Sequence, residues 1–532
     1  MNIATQSTKI AIALVATFAV SQASAQSASS TDEEIAMLKK QLRLMEEKLD
    51  RLQKQTTANT VATAKANAKA KAEPKVSVAD SNATIPVKVP APPPEAIVKM
   101  PNNRPTICTA DDQNCIAITS RIHFDGGGYD YHPNTTNTKP QGLDDGVNLR
   151  RARIGVIGKF FSDWNYALIY DFGGSSDGFA GTATAGGTAV GFLPGGALSG
   201  IENAYLSYTG FKPFGGQLAI EGGYMDVLYT LQESMSSNNI LFMERASSNL
   251  IAQNIAAGDF RSAFGARWFN NVFWAGAYAT GPTAGAIHSA SSTNPNGTTE
   301  QLGAVARVAG QVISGNDYSL HLGADAEFLI RPQHNLVDNS FTLTLSDRPE
   351  LRIDPTTIIT TGAIADVSGA QVYSAEAAAT YGPLFFQGEY YWYNVARNNI
   401  TPNLPNLKFE GGYAEASLAL TGETRHYIPG DAAYGGIIPA NPFSWWGGGW
   451  GAWEIAGRFS TINLNDQLGT TNGIAGGQQT VYAAGLNWYP NANVRFMFDY
   501  LHGNIVKQIS PTNNGDAGAK FDAFAMRTQV AF

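Results

Sequence analysis

The sequence has 532 residues, of which 44% are hydrophobic, 15% charged and 11% aromatic, with 55 glycines and a formal net charge of −8. The acidic balance argues against a nucleic-acid partner, because phosphates attract a basic surface. Two cysteines are too few for a structural zinc site, whereas the many glycines and aromatic residues are typical of chains with numerous short strands and long loops.

The first segment, residues 1–25, is predicted to be an export signal. Lys9 precedes an apolar run over residues 10–20, and Ala23-Ser24-Ala25 is a small-x-small cleavage site. The run is too short to cross about 30 Å of hydrocarbon as a helix, and no later stretch of about 20 apolar residues follows it. We therefore expect cleavage after Ala25 and an exported chain without a transmembrane helix.

Residues 26–55 are predicted to form a short coiled coil. Apolar residues recur there at alternating spacings of three and four, the a/d pattern of a heptad seam: Ile35, Leu38, Leu42, Met45, Leu49 and Leu52. Thr31 and Glu34 form a capping box at the start. Because a lone amphipathic helix of this length is marginal in water, the pattern favours an oligomeric stalk. Packing of the helix on its own barrel is the alternative.

Residues 56–116 are predicted to be a low-complexity periplasmic linker, rich in alanine, lysine and proline. Its lysines can contact peptidoglycan or the inner leaflet, or serve only to keep the linker solvated. Cys108 and Cys115 lie near its end. In an oxidising periplasm they can pair across a short loop, and two free thiols are the alternative.

From about residue 117 onward, apolar and polar residues alternate with the period of a β-strand. In the clearest case the residues Trp164, Tyr166, Leu168, Tyr170 and Phe172 alternate with Asn165, Ala167 and Asp171. Aromatic residues cluster near the strand ends, as expected where strands meet a membrane–water interface. The pattern predicts strands with one apolar and one polar face.

The connections between these strands predict a transmembrane barrel. Short turns such as 161–163 and 313–317 alternate with long polar stretches such as 173–200 and 281–301. We count about sixteen strands over residues 117–532, an even number as in single-chain bacterial barrels. The predicted fold class is therefore all-β, a transmembrane antiparallel β-barrel with a short N-terminal coiled-coil helix. The count places residues 421–450 on the periplasmic side, where turns should be short, so an unusual turn and a misassigned strand both remain open.

A soluble β-sandwich is the competing interpretation of the same alternation. It would need a buried aliphatic face, but the second face here carries arginine, aspartate and glutamate. A dry core would penalise each of these charges heavily, whereas a water-filled lumen accommodates them.

Several stretches in the barrel region, in order along the chain, carry a family resemblance: Leu149–Lys159, Ala204–Pro213, Asn238–Arg245, Leu420–Arg425, Gly449–Glu454, Gly485–Asn491 and the terminal Phe532. On these stretches, residues 121–532 resemble the phosphate-selective porin O and P family. The resemblance implies a sixteen-stranded trimeric channel in the outer membrane of a Gram-negative bacterium, narrowed by a loop folded into the lumen. It also implies that Phe532 belongs to the signal read by the barrel-assembly machinery.

The sequence departs from the family pattern after the fifth predicted strand. Where the family usually carries a Lys-Glu-Pro-Phe-like stretch, this chain has Tyr224–Tyr229, which contains no lysine. Because a phosphate-selective pore presents rings or ladders of cationic donors, this departure leaves phosphate specificity open.

The third long loop, about residues 226–260, is the candidate pore constriction. Glu244 and Arg245 lie within it, Arg261 lies at its exit, and Arg267 lies on the next strand. Arginine suits such a site because its planar guanidinium donates in a fork. These residues either set the electric field at the narrowest point or anchor the loop to the barrel wall.

Further charged residues fall on the polar face of the predicted strands. The candidate pore-lining bases are Arg151, Arg153, Lys159, Arg307, Arg458, Arg495 and Arg527. The acids on the same face are Asp325, Glu327, Glu376, Glu389, Glu415 and Glu454. One hypothesis is a basic wall that faces an acidic wall and guides anions or dipolar solutes, and the other is a set of paired charges that stiffen the barrel.

The sequence contains no sign of enzymatic chemistry. There is no Walker loop, no G-x-S-x-G and no H-E-x-x-H motif, and the seven histidines are scattered without metal-ligand spacing. We therefore expect no enzyme activity, no cofactor and no metal.

The leading functional hypothesis is an outer-membrane porin for passive diffusion of small hydrophilic solutes, with anions such as phosphate among them. A carbohydrate or general pore is one alternative, and it should show inward-facing aromatic residues, of which Tyr391 and Tyr393 are the candidates. An envelope tether or adhesin with a barrel anchor is the other alternative. The expected partners are outer-membrane lipid, two further copies in a homotrimer, the barrel-assembly machinery, peptidoglycan at the periplasmic N-terminal segment, and the solutes.

Overall fold

The computed structural model of the protein describes residues 96–138, 142–173, 184–185, 188–189, 200–258, 261–283, 299–335, 339–398, 400–401, 403–509 and 515–532. The predicted export signal, the predicted coiled coil and the predicted linker up to residue 95 lie outside these residues. Their assignments stay predictions.

Sixteen antiparallel strands form the wall of a closed barrel. In chain order, β1–β16 are Cys115–Pro133, Gly146–Phe160, Trp164–Asp171, Gly200–Tyr208, Gln217–Met225, Arg261–Phe269, Phe273–Thr283, Leu302–Ser314, Tyr318–Arg331, Val367–Tyr381, Leu384–Arg397, Leu407–Ala419, Ala452–Asp466, Ile474–Asn491, Val494–Val506 and Gly518–Ala531. The last strand pairs with the first, from Ala531 opposite Arg121 to Ala519 opposite Pro133. This closure confirms the predicted barrel of sixteen strands.

Side chains alternate between the two faces of the wall, as a period of two requires. In β15, Arg495, Met497 and Asp499 are buried, whereas Phe498 and Tyr500 are 46% and 37% exposed on the outer face. Closing the sheet pairs both strand edges, so the wall needs no further partner to satisfy its backbone in lipid.

The other regular elements are short. Among the described residues, α-helix is confined to Leu231–Ser234 and Ser247–Ala256, both between β5 and β6, and 3-10 turns occur at Pro101–Asn103 and Pro213–Gly215. The strands outside the barrel wall are Ala96–Lys99, Thr106–Thr109, Thr184–Ala185, Thr188–Ala189, His334–Asn335, Ser340–Asp347, Ile359–Ala365, Tyr427–Ile428 and Ala433–Tyr434. No helix in the described part of the chain has both the length and the apolar character needed to traverse a bilayer.

The two ends of the barrel differ in their connections. Short turns such as 161–163 and 492–493 lie at the end that also holds Cys115 and Phe532, and long loops lie at the other end. Residues 420–451 break this pattern, because they join β12 to β13 at the short-turn end. Since both flanking strands are regular, this segment is an unusually long turn and no strand was misassigned.

Three of the connections that the structure describes fold into the barrel. The constriction loop, described over residues 226–258, enters from the long-loop end, and the cover loop, residues 340–365, packs against it. The inner turn, residues 420–440, enters from the opposite end and meets the constriction loop where Arg425 donates to the carbonyl of Asn239 (2.7 Å). The inward-facing side chains of the wall therefore contact protein over much of their surface.

A disulfide-linked hairpin precedes the wall. The strands Ala96–Lys99 and Thr106–Thr109 pair with each other, and the second pairs with the first residues of β1. Cys108 and Cys115 form a disulfide across this pairing. The hairpin thus extends the sheet beyond the barrel at the short-turn end.

Candidate pore and its constriction

The constriction loop is held against the inner wall by an apolar patch. Its run Ile240–Met243 is almost completely buried. The run packs against inward-facing aliphatic and aromatic side chains of β14–β16, among them Val481, Met497, Leu501 and Phe521. Because burial of each large apolar side chain contributes roughly 1.5–3 kcal/mol, this patch fixes one side of the loop firmly.

Carboxylates of one arc of the wall accept hydrogen bonds from the loop backbone. We call Asp325, Glu327, Glu376, Glu389 and Glu415, on the consecutive strands β9–β12, the acidic wall. The N–H groups of Leu231 and Gln232, in the first turn of the short helix, donate to Glu389 (2.8 and 3.0 Å). The N–H of Thr230 donates to Asp325 (3.2 Å). Backbone N–H groups at the start of a helix have no partner within the helix, and here the carboxylates of the wall accept their hydrogen bonds.

Guanidinium groups of another arc donate to the loop's carbonyls. We call Arg151, Arg153, Arg458, Arg495 and Arg527, on β2, β13, β15 and β16, the basic wall. Arg495 donates to the carbonyls of Asn238 (3.1 Å) and Ile240 (2.8 Å), and Arg458 donates to the carbonyl of Glu244 (2.8 Å). The loop thus directs backbone N–H groups toward the acidic wall and backbone carbonyls toward the basic wall.

Glu244 is the centre of the loop's attachment to the basic wall. Its carboxylate accepts from Arg150 (2.8 and 3.1 Å) and from Arg527 (2.9 Å). Burial would raise the pKa of Glu244, but the neighbouring Arg150, Arg527 and Arg151 guanidiniums hold that pKa well below its usual range. Glu244 is therefore ionised at neutral pH and ties two strands of the wall to the loop.

Strand parity alone misplaces Arg150, because alternation puts it on the outer face. The pairing of β1 with β2 shifts register between His123 and Phe124, so that His123 pairs with Arg151 and Phe124 with Leu149. Such a bulge places two consecutive side chains on one face, and both Arg150 and Arg151 are buried. The adjacent arginines in the sequence are a weak signal of this arrangement.

The other three constriction candidates bond to groups other than the Glu244 carboxylate. Arg245 donates to the carbonyl of Gln232 (3.0 Å), within the same loop. Arg261 donates to the carbonyl of Ala257 (2.7 Å) at the loop's exit. Arg267 lies 3.3 Å from the carboxylate of Glu221 and donates to the carbonyl of Gly430 in the inner turn (3.1 Å).

Most of the predicted pore-lining bases are paired. Ion pairs join Arg153 to Glu202 and to Asp171 (2.8 Å), Arg307 to Glu376 (2.9 Å), Arg458 to Glu350 (2.7 Å) and Arg527 to Asp125 (2.7 Å). Lys159 is half-buried at the short-turn end, 3.5 Å from Asp112. Glu350 lies in the cover loop, where strand periodicity offers no signal.

Arg151 differs from these neighbours. Its side chain is 2% exposed, and its Nε and Nη1 atoms have no hydrogen-bond partner among the described residues. The charges around it are those of Arg150, Arg153 and Arg527, together with the carboxylate of Glu244, which Arg150 and Arg527 already bind. Positive charge outnumbers negative charge here, and such an environment favours an anion.

The inner turn covers part of the acidic wall. Arg307, which pairs with Glu376 of that wall, donates to the carbonyls of Asp431 (2.9 Å) and Ala432 (2.8 Å) in the turn. His321 Nδ1 lies 3.0 Å from the Tyr427 hydroxyl. The turn thus closes over β8–β10, and sequence periodicity gave no sign of it because the segment is not a strand of the wall.

A cavity of about 670 Å³ remains at the short-turn end of the interior. The arginines that line it are Arg104, Arg121, Arg153 and Arg495, together with one acid, Glu202, which pairs with Arg153. His426 of the inner turn, several asparagines and apolar residues such as Ile437 and Ile438 also line it. The charged part of this lining is therefore predominantly basic.

The two inward-facing tyrosines are not available to a solute. Asn249 of the helix Ser247–Ala256 donates to the Tyr391 hydroxyl (2.8 Å), and the Tyr393 hydroxyl donates to the carbonyl of Ser248. Both side chains are fully buried. They support the constriction loop and form no aromatic track.

The terminal Phe532 lies at the seam where the barrel closes. Its N–H donates to the carbonyl of Ser120 and its carbonyl accepts from the N–H of Ser120, both at 3.0 Å. These bonds continue the pairing of β16 with β1 by one residue.

Comparison with known proteins gives a family and two sequence relatives. A family model described as phosphate-selective porin O and P matches residues 116–532. Porin O of Pseudomonas aeruginosa is 23% identical over 450 residues, which cover 80% of this chain and 90% of that protein. An uncharacterized protein of Caulobacter vibrioides is 32% identical over 214 residues, which cover 40% of this chain and only 39% of that protein.

Solved structures with similar backbones are more distant. OmpT of Vibrio cholerae, in its trimer form, gives a TM-score of 0.43 at 11% identity, with 79% of this chain and all of that chain covered. The anion-selective porin from Comamonas acidovorans gives a TM-score of 0.42 at 12% identity, with the same coverage. The family therefore rests on the matched residues 116–532.

Proposed function

The chain belongs to the phosphate-selective porin O and P family, and on that premise we propose that its barrel is an outer-membrane channel for passive diffusion of small hydrophilic anions, inorganic phosphate among them. Solutes would pass along the basic side of the interior. The chain would act without enzymatic chemistry, since diffusion through a pore needs no reacting group.

The observation that carries this proposal is that the segments folded into the barrel cover the acidic wall and leave a cavity on the basic side. The acidic wall is bonded to the constriction loop, and its part on β9 and β10 lies beneath the inner turn. The remaining cavity is lined by four arginines and one paired glutamate. A cleft lined by one sign of charge between low-dielectric walls raises the local concentration of the opposite ion, so the geometry favours anions.

We assign the candidate residues to two roles. Arg121, Arg153 and Arg495 would guide anions through the basic cavity, and Arg151 would attract them deeper in the wall. A second group would hold the inward-folded segments in place, and thereby set the pore's width: Glu244, Arg245, Arg261, Arg267, Arg307, Arg458 and Arg527. Lys159 would act only at the short-turn mouth.

A pore for sugars is the second candidate, but the burial of Tyr391 and Tyr393 removes the aromatic track that would favour it. A trimeric state, an N-terminal coiled-coil stalk in contact with peptidoglycan, and recognition of Phe532 by the barrel-assembly machinery remain proposals from the sequence. "Porin O" is the name of the Pseudomonas aeruginosa protein, and the trimer form is that of OmpT of Vibrio cholerae.

Planar-bilayer recording of the purified protein tests the proposal. We expect discrete conductance steps, a reversal potential in asymmetric KCl that indicates anion preference, and a current reduced by phosphate but not by a maltose-like sugar. Absence of conductance steps would favour the tether, cation preference would contradict the anion path, and competition by the sugar alone would favour the carbohydrate pore.

A further inference from the structure

Residues 441–451 fold back against the outside of the barrel at the short-turn end. The N–H of Phe443 donates to the carbonyl of Pro490 (2.7 Å), and the N–H of Gly451 donates to the carbonyl of Asn441 (3.0 Å). The indole N–H of Trp488 donates to the carbonyl of Trp450 (2.9 Å). These bonds fix the segment, which we call the tryptophan loop, to the ends of β13 and β14.

The loop continues an aromatic band on the outer face of the wall. The rings of Trp453, Trp488 and Phe496, on the adjacent strands β13–β15, stack with centroids 5.4 Å apart. Their chain neighbours Asn487 and Arg495 are buried on the inner face, so the stack lies outside. The ring of Phe443 packs edge-on against Trp488, also at 5.4 Å, and joins the loop to this band.

The loop presents three large aromatic side chains to its surroundings. Trp445, Trp446 and Trp450 are 79%, 95% and 75% exposed. With Trp453 and Trp488, they make up five of the nine tryptophans of the chain. The loop is nevertheless ordered by its own hydrogen bonds, from the N–H of Ser444 to the carbonyl of Gly449 (3.1 Å) and from the N–H of Gly447 to the Ser444 hydroxyl (2.8 Å).

We propose that Trp445, Trp446 and Trp450 insert into the headgroup region of the phospholipid leaflet at the short-turn end and anchor the barrel there on one side. Two observations select lipid as the occupant. The loop is continuous with the aromatic band of the wall, which faces the bilayer, and residues 438–453 contain no charged side chain. Tryptophan prefers the membrane–water interface, where its ring is apolar and its N–H is wet. This anchorage goes beyond solute passage and does not depend on the proposed selectivity.

A spin label at position 446 tests this placement in proteoliposomes of phosphatidylcholine. Because Cys108 and Cys115 are bonded to each other, Trp446→Cys supplies the free thiol for labelling. Phe498→Cys on the outer wall and Thr470→Cys on the exposed loop at the other end are the matched references. We expect accessibility to oxygen and to an aqueous nickel chelate to fall between those of the two references.

Each other outcome overturns the proposal. Nickel accessibility equal to that at position 470 would place the loop in water. A label that is immobile and shielded from both reagents would place it against a second copy or another protein. As an independent measurement, the triple variant W445S/W446S/W450S should show a clear loss of the tryptophan emission that brominated lipids quench, with the remainder coming from wall tryptophans such as Trp453 and Trp488, while its conductance should stay at the wild-type level. An unchanged quenched emission would contradict the placement.

Discussion

At the scale of single residues, charge inside the barrel is balanced by the loop backbone as well as by side chains. Glu389 accepts from two backbone N–H groups, and Arg495 donates to two backbone carbonyls. Breaking a buried ion pair is costly, because the remaining charge loses its compensation. Most charges of the two walls are therefore structural, and the arginines that line the basic cavity would act on a solute through their electric field while they stay bonded to protein.

Arg151 is the residue whose removal should change selectivity with the least damage to the fold. Since Nε and Nη1 of its guanidinium have no hydrogen-bond partner in the described chain, Arg151→Gln leaves no carboxylate unpaired. We expect the anion-to-cation permeability ratio from reversal potentials to fall by at least about twofold, because the wall loses a cation in a low-dielectric cleft.

Lys408→Gln is the matched control, since it also removes one positive charge but from an exposed position. It should leave the permeability ratio unchanged. An unaltered ratio in Arg151→Gln itself would show that this arginine is not part of the anion path.

His426, in the inner turn at the cavity, should make selectivity depend on pH. Burial and the nearby Arg425 lower the pKa of His426 below its ordinary value of 6.5. The imidazole is thus neutral at pH 7 and gains a proton only in acid. We expect anion preference to rise as the pH falls below 6.5 and the imidazole gains its proton, while the native state loses a little stability, because it binds this proton less readily than the unfolded chain.

Comparison of wild type with His426→Gln isolates this effect, because carboxylates that titrate in the same range are present in both proteins. The reversal potential should move further with acid in the wild type. Identical pH profiles for the two proteins would contradict a role for His426.

At the scale of elements, two segments that enter from opposite ends meet inside one barrel. Arg425 of the inner turn donates to Asn239 of the constriction loop, and Arg425 in turn pairs with Glu454 of β13 (2.9 Å). The inner turn thus depends on contacts with both the loop and the wall. Its position over β8–β10 would keep the Glu376 carboxylate away from the proposed solute path.

Replacement of residues 426–436 by a short Gly-Ser linker should widen the channel and weaken its anion preference. The change uncovers Glu376 and Asp325, whose negative charge attracts cations. Single-channel conductance and reversal potential measure the two effects. As a control, the same Gly-Ser linker in place of the tryptophan loop, residues 441–451, which lies outside the barrel, should alter neither quantity. Higher conductance with unchanged anion preference would mean that the turn blocks the pore without screening the acidic wall.

At the scale of the whole molecule, the wall separates a charged interior from an apolar exterior. The outer face exposes large apolar side chains on nearly every strand. Such a surface is stable against lipid and unstable in water. The purified protein should therefore need detergent to remain monodisperse.

Phe498→Arg tests this division, because it places a cation near the middle of β15 on the outer face. We expect the free energy of unfolding in lipid vesicles to fall by about 2–4 kcal/mol, the cost of arginine near the bilayer midplane. Phe498→Leu is the control and should stay close to wild type. Equal stability of the two variants in a denaturant titration would show that this face is not in contact with lipid.

The amino-acid sequence by itself determined the number of strands, their order and the face on which most side chains lie. These features follow from local geometry, because successive side chains of a strand point to opposite faces. Trp164, Phe498 and Arg527 could therefore be assigned to their faces without coordinates. The position of residues 420–451 at the short-turn end also followed from the strand count, although its path did not.

Only the tertiary structure decided which of the inward charges are paired and which are open. The bond from Arg458 to Glu350 joins residues 108 positions apart, and that from Arg307 to Ala432 joins residues 125 apart. The inward turn of Arg150 depends on a bulge against the neighbouring strand. Contacts of this kind are set by the folding of loops into the barrel, and a period of two along one strand carries no information about a partner that arrives from another part of the chain.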